Sequence, residues 1–233
     1  MAYGRLLEVD AFRGLAVCAM VAFHFAFALY FLKGFAVNVF SGFWLWLGLL
    51  AGTSFVFLAG VSLSLSFSRG RNFAHFLRRG AGILALGIFI TIATFIAFPQ
   101  DAVIFGILHL IGASIILSFP FLRFKALNIV LGAFLIAAGL ALRHAVFSFP
   151  WLLPFGFFPQ GLSTLDYYPL LPWLGVVLLG IAAGNFLYPK GKRAFKIPEI
   201  DLPPARFLAF LGRHSLLVYF AEFPIIYAIV WLL

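Results

Sequence analysis

Three ionisable side chains interrupt long apolar runs of the sequence: His24, His109 and Glu222. Ionisable groups inside apolar segments are costly to bury and are therefore candidates for function. An imidazole changes its charge near neutral pH, and a neighbouring carboxylate can orient the ring. The three side chains therefore indicate either a general base for a transfer reaction or a relay that moves protons.

Helical spacing groups two of these residues with polar neighbours. His24 follows Arg13 by eleven residues, about 16 Å along a helix and close to three turns, so Asp10, Arg13 and His24 share a predicted helix face. Tyr219 and Glu222 share a face in the same way. A simpler alternative makes Asp10 and Arg13 an ion pair at a helix start and His24 a buried donor to a backbone carbonyl.

The chain of 233 residues carries these groups in a very apolar composition. Hydrophobic residues make up 64% and charged residues 10%, whereas a soluble domain has about 45–50% and about 25%. So few charges cannot cover a water-facing surface, which excludes a soluble enzyme and a disordered chain. The single cysteine, Cys18, excludes an internal disulfide and a cysteine metal cluster. The composition therefore indicates an integral membrane protein.

Seven segments are long and apolar enough to cross a bilayer as helices, because a spanning helix needs about 20 mainly apolar residues. They cover residues 11–32, 42–67, 77–98, 102–121, 126–145, 167–188 and 207–232. The predicted fold class is therefore all-α, a polytopic membrane helix bundle in which residues 1–233 form one integral membrane domain. His24 lies about 16 Å along the chain from Arg13, His109 about 12 Å from Asp101 and Glu222 about 13 Å from Arg213, so all three are expected near mid-bilayer depth.

The basic residues predict how these segments are oriented. With a cytoplasmic N-terminus, fourteen lysines and arginines fall on the cytoplasmic side, and only Lys33 and Arg143 fall outside. The cytoplasmic set is Arg5, Arg13, Arg69, Arg71, Arg78, Arg79, Arg123, Lys125, Lys190, Lys192, Arg193, Lys196, Arg206 and Arg213. This positive-inside bias is typical of a multi-pass protein of the cytoplasmic membrane. The net charge of +9 is then explained by the orientation of the chain in the membrane and by contact with anionic membrane lipid. No nucleic acid partner is expected.

Residues 146–166 are also apolar, but they carry Pro150, Pro154 and Pro159. Prolines at this spacing break a continuous helix. We therefore predict an outer loop that is interfacial or re-entrant, with Trp151 at headgroup level.

Motifs of soluble enzymes are missing: the sequence has no Gly-x-Ser-x-Gly, no P-loop, no His-Glu-x-x-His and no dinucleotide glycine fingerprint. Acids in the apolar segments are few and the histidines lie on separate segments, so no metal is expected. Two pairs of small residues, Gly48/Gly52 and Gly180/Gly184, favour close helix packing, either within the chain or in a homodimer.

Short blocks along nearly the whole chain resemble a known family. They are Arg5–Gly14, Met20–His24, Phe55–Ser62, Phe105–Gly112, Asp166–Gly175 and Leu211–Tyr219. In this order they are similar to the prokaryotic, catalytic-domain-like branch of the membrane acyltransferases related to heparan-alpha-glucosaminide N-acetyltransferase. Glu222-Phe223-Pro224 departs from the pattern, because many prokaryotic relatives have His-Gln-Pro there.

The resemblance implies that an acetyl or other acyl group passes from cytosolic acyl-CoA to a hydroxyl or amine of a cell-envelope glycan or lipid. Among the ionisable residues, the hypothesis of acyl transfer makes His24 the general base, with help from His109 or Glu222. Phosphates of the donor are expected to bind Arg13, Arg69, Arg71, Arg78 and Arg79. The acceptor is expected to meet Asp166, Tyr167 and Tyr219. The alternative is a proton-coupled transporter that uses the same His and Glu groups without covalent chemistry.

Overall fold

The computed structural model describes residues 6–142, 150–159, 161–196 and 202–233. Within these ranges the chain forms eight α-helices, and the all-α fold class predicted from the sequence is confirmed. In chain order they are α1 Leu7–Lys33, α2 Gly42–Ser68, α3 Phe73–Ala97, α4 Ile107–Leu117, α5 Ala126–Leu142, α6 Leu170–Leu187, α7 Pro203–Arg213 and α8 Ser215–Leu232. Short 3-10 helices cover Phe119–Phe121, Pro150–Phe155 and Pro189–Gly191.

Five of these helices, α1, α2, α3, α6 and α8, are long and apolar enough to cross a membrane. The apolar helices α4 and α5 have 11 and 17 residues, fewer than the about 20 that a span needs. The described residues therefore form a polytopic membrane helix bundle, and the count of seven spans stays a prediction. Residues 143–145 of the predicted fifth segment, and the counted Arg5 and Arg143, lie outside the described residues.

The helices group into two compact units. Unit 1 comprises Met1–Phe55 and Lys196–Leu233, and unit 2 comprises Val56–Phe195. The division falls within α2, so the first turns of that helix belong to unit 1 and its later turns to unit 2. The single membrane domain expected from the sequence stays a prediction.

In unit 1, α7 lies against the first turns of α1. A Cβ at Gly14 would overlap the carbonyl of Leu208, and a Cβ at Gly212 would overlap the carbonyl of Asp10. The two backbones therefore touch, which a larger residue at either glycine would prevent. Because residue numbers rise along α7 while they fall along α1, the two helices are antiparallel.

Also in unit 1, α8 follows the later turns of α1 in the parallel direction. Ala28 packs with Ile226 and Val230 in a small buried cluster. The Lys33 ammonium donates a hydrogen bond of 3.2 Å to the carbonyl of Trp231, in the last turn of α8 where helix carbonyls lack intrahelical donors. These contacts determine which side chains α1 and α8 present to each other.

Residues 207–232, predicted as a single span, belong to two helices. α7 ends at Arg213 and α8 begins at Ser215. The N–H of His214, between them, donates to the carbonyls of Phe210 and Leu211. The break follows from packing, since helices that lie antiparallel and parallel to α1 must be separated by a turn.

Unit 2 contains two antiparallel helix pairs that meet at glycines. Gly80 of α3 faces the carbonyl of Gly112 in α4, and Gly132 of α5 faces the carbonyl of Gly175 in α6. Each glycine lets a neighbouring backbone approach closely. Leu110 of α4 is fully buried in the apolar core that these helices share.

The later turns of α2 pack on α6 through small residues. A Cβ at Gly180 would overlap the carbonyl of Phe57, and a Cβ at Gly184 would meet the side chain of Ser64. The Ser64 hydroxyl donates to the side-chain oxygen of Asn185 at 2.6 Å. Close packing at the Gly180/Gly184 pair is therefore confirmed within the chain, and a homodimer stays a prediction.

α4 is shorter than the predicted segment 102–121, because the residues before it are not helical and a separate 3-10 helix, Phe119–Phe121, follows it. An isolated parallel β-bridge joins Phe105 to Tyr167, and the Tyr168 N–H donates to the Phe105 carbonyl at 2.9 Å. The helix begins at Ile107, whose N–H donates to the Asp166 carboxylate. Segment 166–168 therefore positions the start of α4.

The predicted outer loop 146–166 is described from residue 150 onward, except residue 160. It contains the 3-10 helix Pro150–Phe155, and Trp151 is 68% exposed. Its interfacial or re-entrant position stays a prediction.

Candidate active site

His24 and Glu222 form a close pair of ionisable side chains in unit 1. Nδ1 of His24 lies 2.6 Å from Oε1 of Glu222. The Glu222 side chain is 3% exposed and the His24 side chain is 24% exposed. A charge buried to this extent needs a partner, and the imidazole supplies it.

Aromatic rings surround this pair. The His24 ring centroid lies 5.5 Å from that of Phe223, 6.0 Å from that of Phe23 and 6.4 Å from that of Tyr219. Tyr227 stacks on Phe223 at 5.4 Å. The rings contact the imidazole on several sides, and the apolar surroundings of the buried carboxylate strengthen the electrostatic attraction within the pair. Tyr219, predicted to meet the acceptor, is therefore close to His24.

Local sequence places Glu222 on the buried side of α8. Ile226, one turn later, is also buried, whereas Ile225 between them is 55% exposed. Pro224 lies inside the helix and has no N–H to donate to the carbonyl of Phe220. The helix therefore carries a carboxylate and a freed carbonyl within one turn of each other.

The geometry assigns different tasks to the two ring nitrogens of His24. An ionised Glu222 only accepts hydrogen bonds, so Nδ1 carries the proton in the short contact and Nε2 keeps the lone pair. The second carboxylate oxygen, Oε2, is buried and has no hydrogen-bond partner among the described residues. Such a pair can take a proton at Nε2 and hold the resulting charge next to a carboxylate.

His109 lies in unit 2 in a different setting. Its Nδ1 accepts a hydrogen bond of 3.3 Å from the Gly106 N–H. Its Nε2 lies 3.4 Å from the hydroxyl of Thr91, which itself donates to the carbonyl of Val103 at 2.6 Å. Since the threonine proton is used, Nε2–H is the donor to the threonine oxygen. Both ring nitrogens therefore hold backbone and side chain at the start of α4, and a role in catalysis stays a prediction.

Asp166 and Tyr167, predicted to meet the acceptor, make structural contacts in unit 2. Oδ2 of Asp166 accepts from the Ile107 N–H at 2.9 Å, which places a negative charge at the N-terminus of α4 where it is favourable. The Tyr167 hydroxyl donates to the carbonyl of Leu153 at 2.8 Å, and its ring lies 5.0 Å from that of Phe158. Contact of these residues with an acceptor stays a prediction.

Four of the five predicted donor-binding arginines, all except Arg13, lie at or near the turn between α2 and α3. A cavity of about 390 Å³ opens there, in unit 2. Its lining consists of Gly70, Arg71, Asn72, Ala74, His75 and Arg78. Two guanidinium groups at the N-terminus of a long helix provide the positive charge and the N–H donors that a phosphate binds. Arg69 and Arg79 are neighbours of this cavity in sequence.

Two residues of this cavity, Asn72 and His75, were not predicted as site residues. The Asn72 side chain accepts a hydrogen bond from the His75 N–H at 3.1 Å and so caps α3. An asparagine just before an apolar helix is a typical N-cap and would have marked the helix start. The sequence carried no comparable signal for His75.

Arg13 takes part in contacts within unit 1. Its Nη1 lies 3.1 Å from Oδ1 of Asp10 and 3.5 Å from the carbonyl oxygen of Gly212. The ion pair at the start of α1, one part of the simpler alternative, is therefore confirmed. The other part, a bond from His24 to a backbone carbonyl, is wrong, because His24 pairs with the carboxylate of Glu222. Donor binding by Arg13 stays a prediction. Among the described residues, no three His, Cys, Asp or Glu side chains come together as a metal ion would need.

Comparison with known protein families gives a match over most of the chain. Residues 5–224 match the family model described as heparan-alpha-glucosaminide N-acetyltransferase, catalytic. No curated protein and no solved structure matches the chain.

Proposed function

Because the chain belongs to the heparan-alpha-glucosaminide N-acetyltransferase catalytic family, whose membership implies a membrane acetyltransferase-like activity, we propose that it transfers an acyl group from acyl-CoA. The acceptor in this proposal is a hydroxyl or amine of a cell-envelope glycan or lipid. The membrane is the cytoplasmic membrane, which the chain crosses several times with its N-terminus inside. The pair of His24 and Glu222, joined at 2.6 Å, is the observation that carries the proposal.

His24 is the general base of the proposed reaction. Its Nε2 takes a proton from the acceptor while the acceptor oxygen or nitrogen attacks the acyl carbonyl. The new acyl–oxygen or acyl–nitrogen bond forms, the acyl–sulfur bond breaks, and the proton passes from Nε2 to the departing thiolate to give free CoA. A positioned base of this kind contributes about 10²- to 10⁴-fold to a rate.

Glu222 is the positioning residue of the pair. Its carboxylate holds the Nδ1 proton, so the lone pair of His24 stays on Nε2 and points away from Glu222. The charge that His24 gains during transfer is balanced by the carboxylate at 2.6 Å. Because Glu222 is only 5% exposed, water does not weaken this compensation.

The donor binds through its phosphates at the turn between α2 and α3. The cavity of about 390 Å³ with Arg71 and Arg78 in its lining supports this part of the proposal, because guanidinium groups and helix N-termini suit phosphates. Arg69 and Arg79 add positive charge next to the cavity. Arg13 is an additional donor contact in the proposal, and Asp166, Tyr167 and Tyr219 are acceptor contacts.

A proton-coupled transporter is the second candidate. The buried Oε2 of Glu222, without a hydrogen-bond partner among the described residues, favours it because a relay needs a carboxylate that can take up a proton. Solute uptake into proteoliposomes that depends on a pH gradient, and that Glu222→Gln abolishes, would favour this candidate over acyl transfer.

Binding of the donor is the experiment that tests the proposed function. Purified protein is heated with acetyl-CoA or with desulfo-CoA, which keeps the phosphates but cannot carry an acyl group. A ligand at 100 times its Kd raises the free energy of unfolding by about 2.7 kcal/mol, so the unfolding midpoint rises. No rise at millimolar concentration, for several acyl chains, contradicts the proposal.

A matched pair of variants locates the binding. Arg71→Gln with Arg78→Gln should remove most of the stabilisation by desulfo-CoA. Arg123→Gln with Lys125→Gln removes the same charge from unit 2, at side chains that rest on the rings of Phe124 and Phe186. Equal loss in both double variants would assign the binding to general charge and remove the cavity from the proposal.

A further inference from the structure

The two sides of α7 differ. Ala209 and Gly212 are buried against α1, whereas Phe207 and Phe210 are 60% and 53% exposed. Two phenylalanines three residues apart lie on one side of a helix. α7 therefore presents a pair of aromatic rings away from the helix on which it packs.

The exposed side of α7 is also positively charged. Arg206 and Arg213 are exposed, and their spacing of seven residues, nearly two helical turns, puts them on one face. Around the axis of α7, this arginine face is adjacent to the side that carries Phe207 and Phe210. The helix itself contains no aspartate or glutamate, so the charged side chains that it contributes are all basic.

The position of α7 along α1 gives its depth. Leu208 lies beside Gly14 and Gly212 beside Asp10, so α7 adjoins the first turns of α1, which the charge pattern assigns to the cytoplasmic boundary. With 11 residues, α7 is about 16 Å long, too short to cross a hydrocarbon core of about 30 Å. Basic and aromatic residues together on a short amphipathic helix are typical of segments that reach the membrane interface, to which long arginine side chains extend.

We propose that the outer face of α7, formed by Arg206, Phe207, Phe210 and Arg213, binds anionic phospholipids of the cytoplasmic leaflet. The arginines contact headgroup phosphates and the phenylalanines enter the boundary between headgroups and acyl chains. Anionic lipid fits better than a soluble partner, because the same face offers positive charge for the headgroups and rings for the acyl boundary. This inference does not depend on the proposed acyl transfer.

The depth of α7 is the first test, with the full chain in nanodiscs. Cys18→Ser removes the single cysteine, and a spin label is then attached at Phe207→Cys or, as reference, at Ile225→Cys on α8, which is 55% exposed. The label at 207 should lie at headgroup level, more accessible to oxygen than a label in water and shallower than the label at 225. Full aqueous accessibility, a depth equal to that at 225, or protection from both lipid and water would each overturn the proposal.

Lipid selectivity is the second test. Protein is extracted from vesicles of phosphatidylcholine and phosphatidylglycerol, and the ratio of retained lipids is measured by mass spectrometry. Arg206→Gln with Arg213→Gln should lower the preference for phosphatidylglycerol by about fivefold for each arginine removed, the factor that corresponds to about 1 kcal/mol per basic residue at an anionic surface. Lysine at both positions should keep most of it, and lysines that restore none of it would overturn the proposal.

Lys190→Gln with Lys192→Gln is the matched control, since both lysines are exposed and on the predicted cytoplasmic side. This variant should keep the preference for phosphatidylglycerol. An equal loss in both double variants would mean that net charge, and not the α7 face, attracts the lipid.

Discussion

His24 in unit 1 and His109 in unit 2 look alike in the sequence and differ in their partners. Nδ1 of His24 faces the buried carboxylate of Glu222 at 2.6 Å, so Nε2 keeps a lone pair for chemistry. His109 uses both nitrogens, for the Gly106 N–H and the Thr91 hydroxyl. Position deep in an apolar segment therefore identifies a histidine whose burial costs free energy. The hydrogen bonds of its two nitrogens show whether one of them is left to exchange a proton.

Replacement of His24 should have the largest effect. His24→Ala removes the base, and we expect acyl transfer to fall by about 10²- to 10⁴-fold while the protein still folds. The measurement is product formation with radiolabelled acyl-CoA, and the midpoint of thermal unfolding controls for folding. His109→Ala is the matched variant, and its transfer rate per folded molecule should stay within about threefold, since both nitrogens already serve the fold. Equal loss in both variants would contradict the contrast between the two histidines.

Replacement of the partner of His24 should have the second largest effect. Glu222→Gln keeps the shape but no longer selects the Nδ1–H form of the ring, and it removes the charge that balances the imidazolium. We expect the rate of transfer to fall by about 10- to 10³-fold, with the KM for acyl-CoA nearly unchanged, because the loss is confined to the transition state. Glu222→Asp should recover part of the rate. A change in KM alone would show that Glu222 binds the donor and does not position His24.

The smallest effect is expected at the partner of His109. Thr91→Val keeps the volume but removes the hydroxyl that bonds both His109 and the Val103 carbonyl. The loss of two hydrogen bonds, each of which contributes about 0.5–1.5 kcal/mol, should lower the free energy of unfolding by about 1–3 kcal/mol. The rate of acyl transfer should be unaffected. Denaturation measured in detergent, together with the transfer assay, checks this. A fall in transfer rate without loss of stability would give the Thr91–His109 contact a part in the reaction.

Much of the fold was predictable because long apolar runs can only be helical in a bilayer. The helices α1, α2, α3 and α6 agree with the predicted segments to within about four residues at each end, and helix ends are the least predictable part of a helix. The break at His214 was not predicted, since the apolar pattern continues through it. It depends on Gly212 packing against Asp10, a contact between residues about 200 positions apart.

The sequence predicted which residues belong to the candidate site, but it did not predict which of them are in contact. His24, His109 and Glu222 stand out because a charged group is rare in an apolar segment. The sequence allowed either His109 or Glu222 to assist His24, since spacing shows which residues share a face of one helix but does not show which helices are neighbours. Similarly, the sequence predicted that Asp166 contacts the acceptor. Its hydrogen bond with the Ile107 N–H was not predictable, because it depends on where the segment before α6 meets the start of α4.

Composition, apolar length and the positions of the basic residues already require a helical membrane protein, because hydrogen bonding and charge in a bilayer leave few alternatives. The sequence also limits the possible chemistry to a few ionisable residues. Packing chooses among those residues: glycine contacts and the Lys33–Trp231 bond place α7 and α8 on α1, and this register brings Glu222 to Nδ1 of His24. The physical reason is that burial cost is a property of each residue, whereas compensation of that cost requires a partner that only the folded chain can supply.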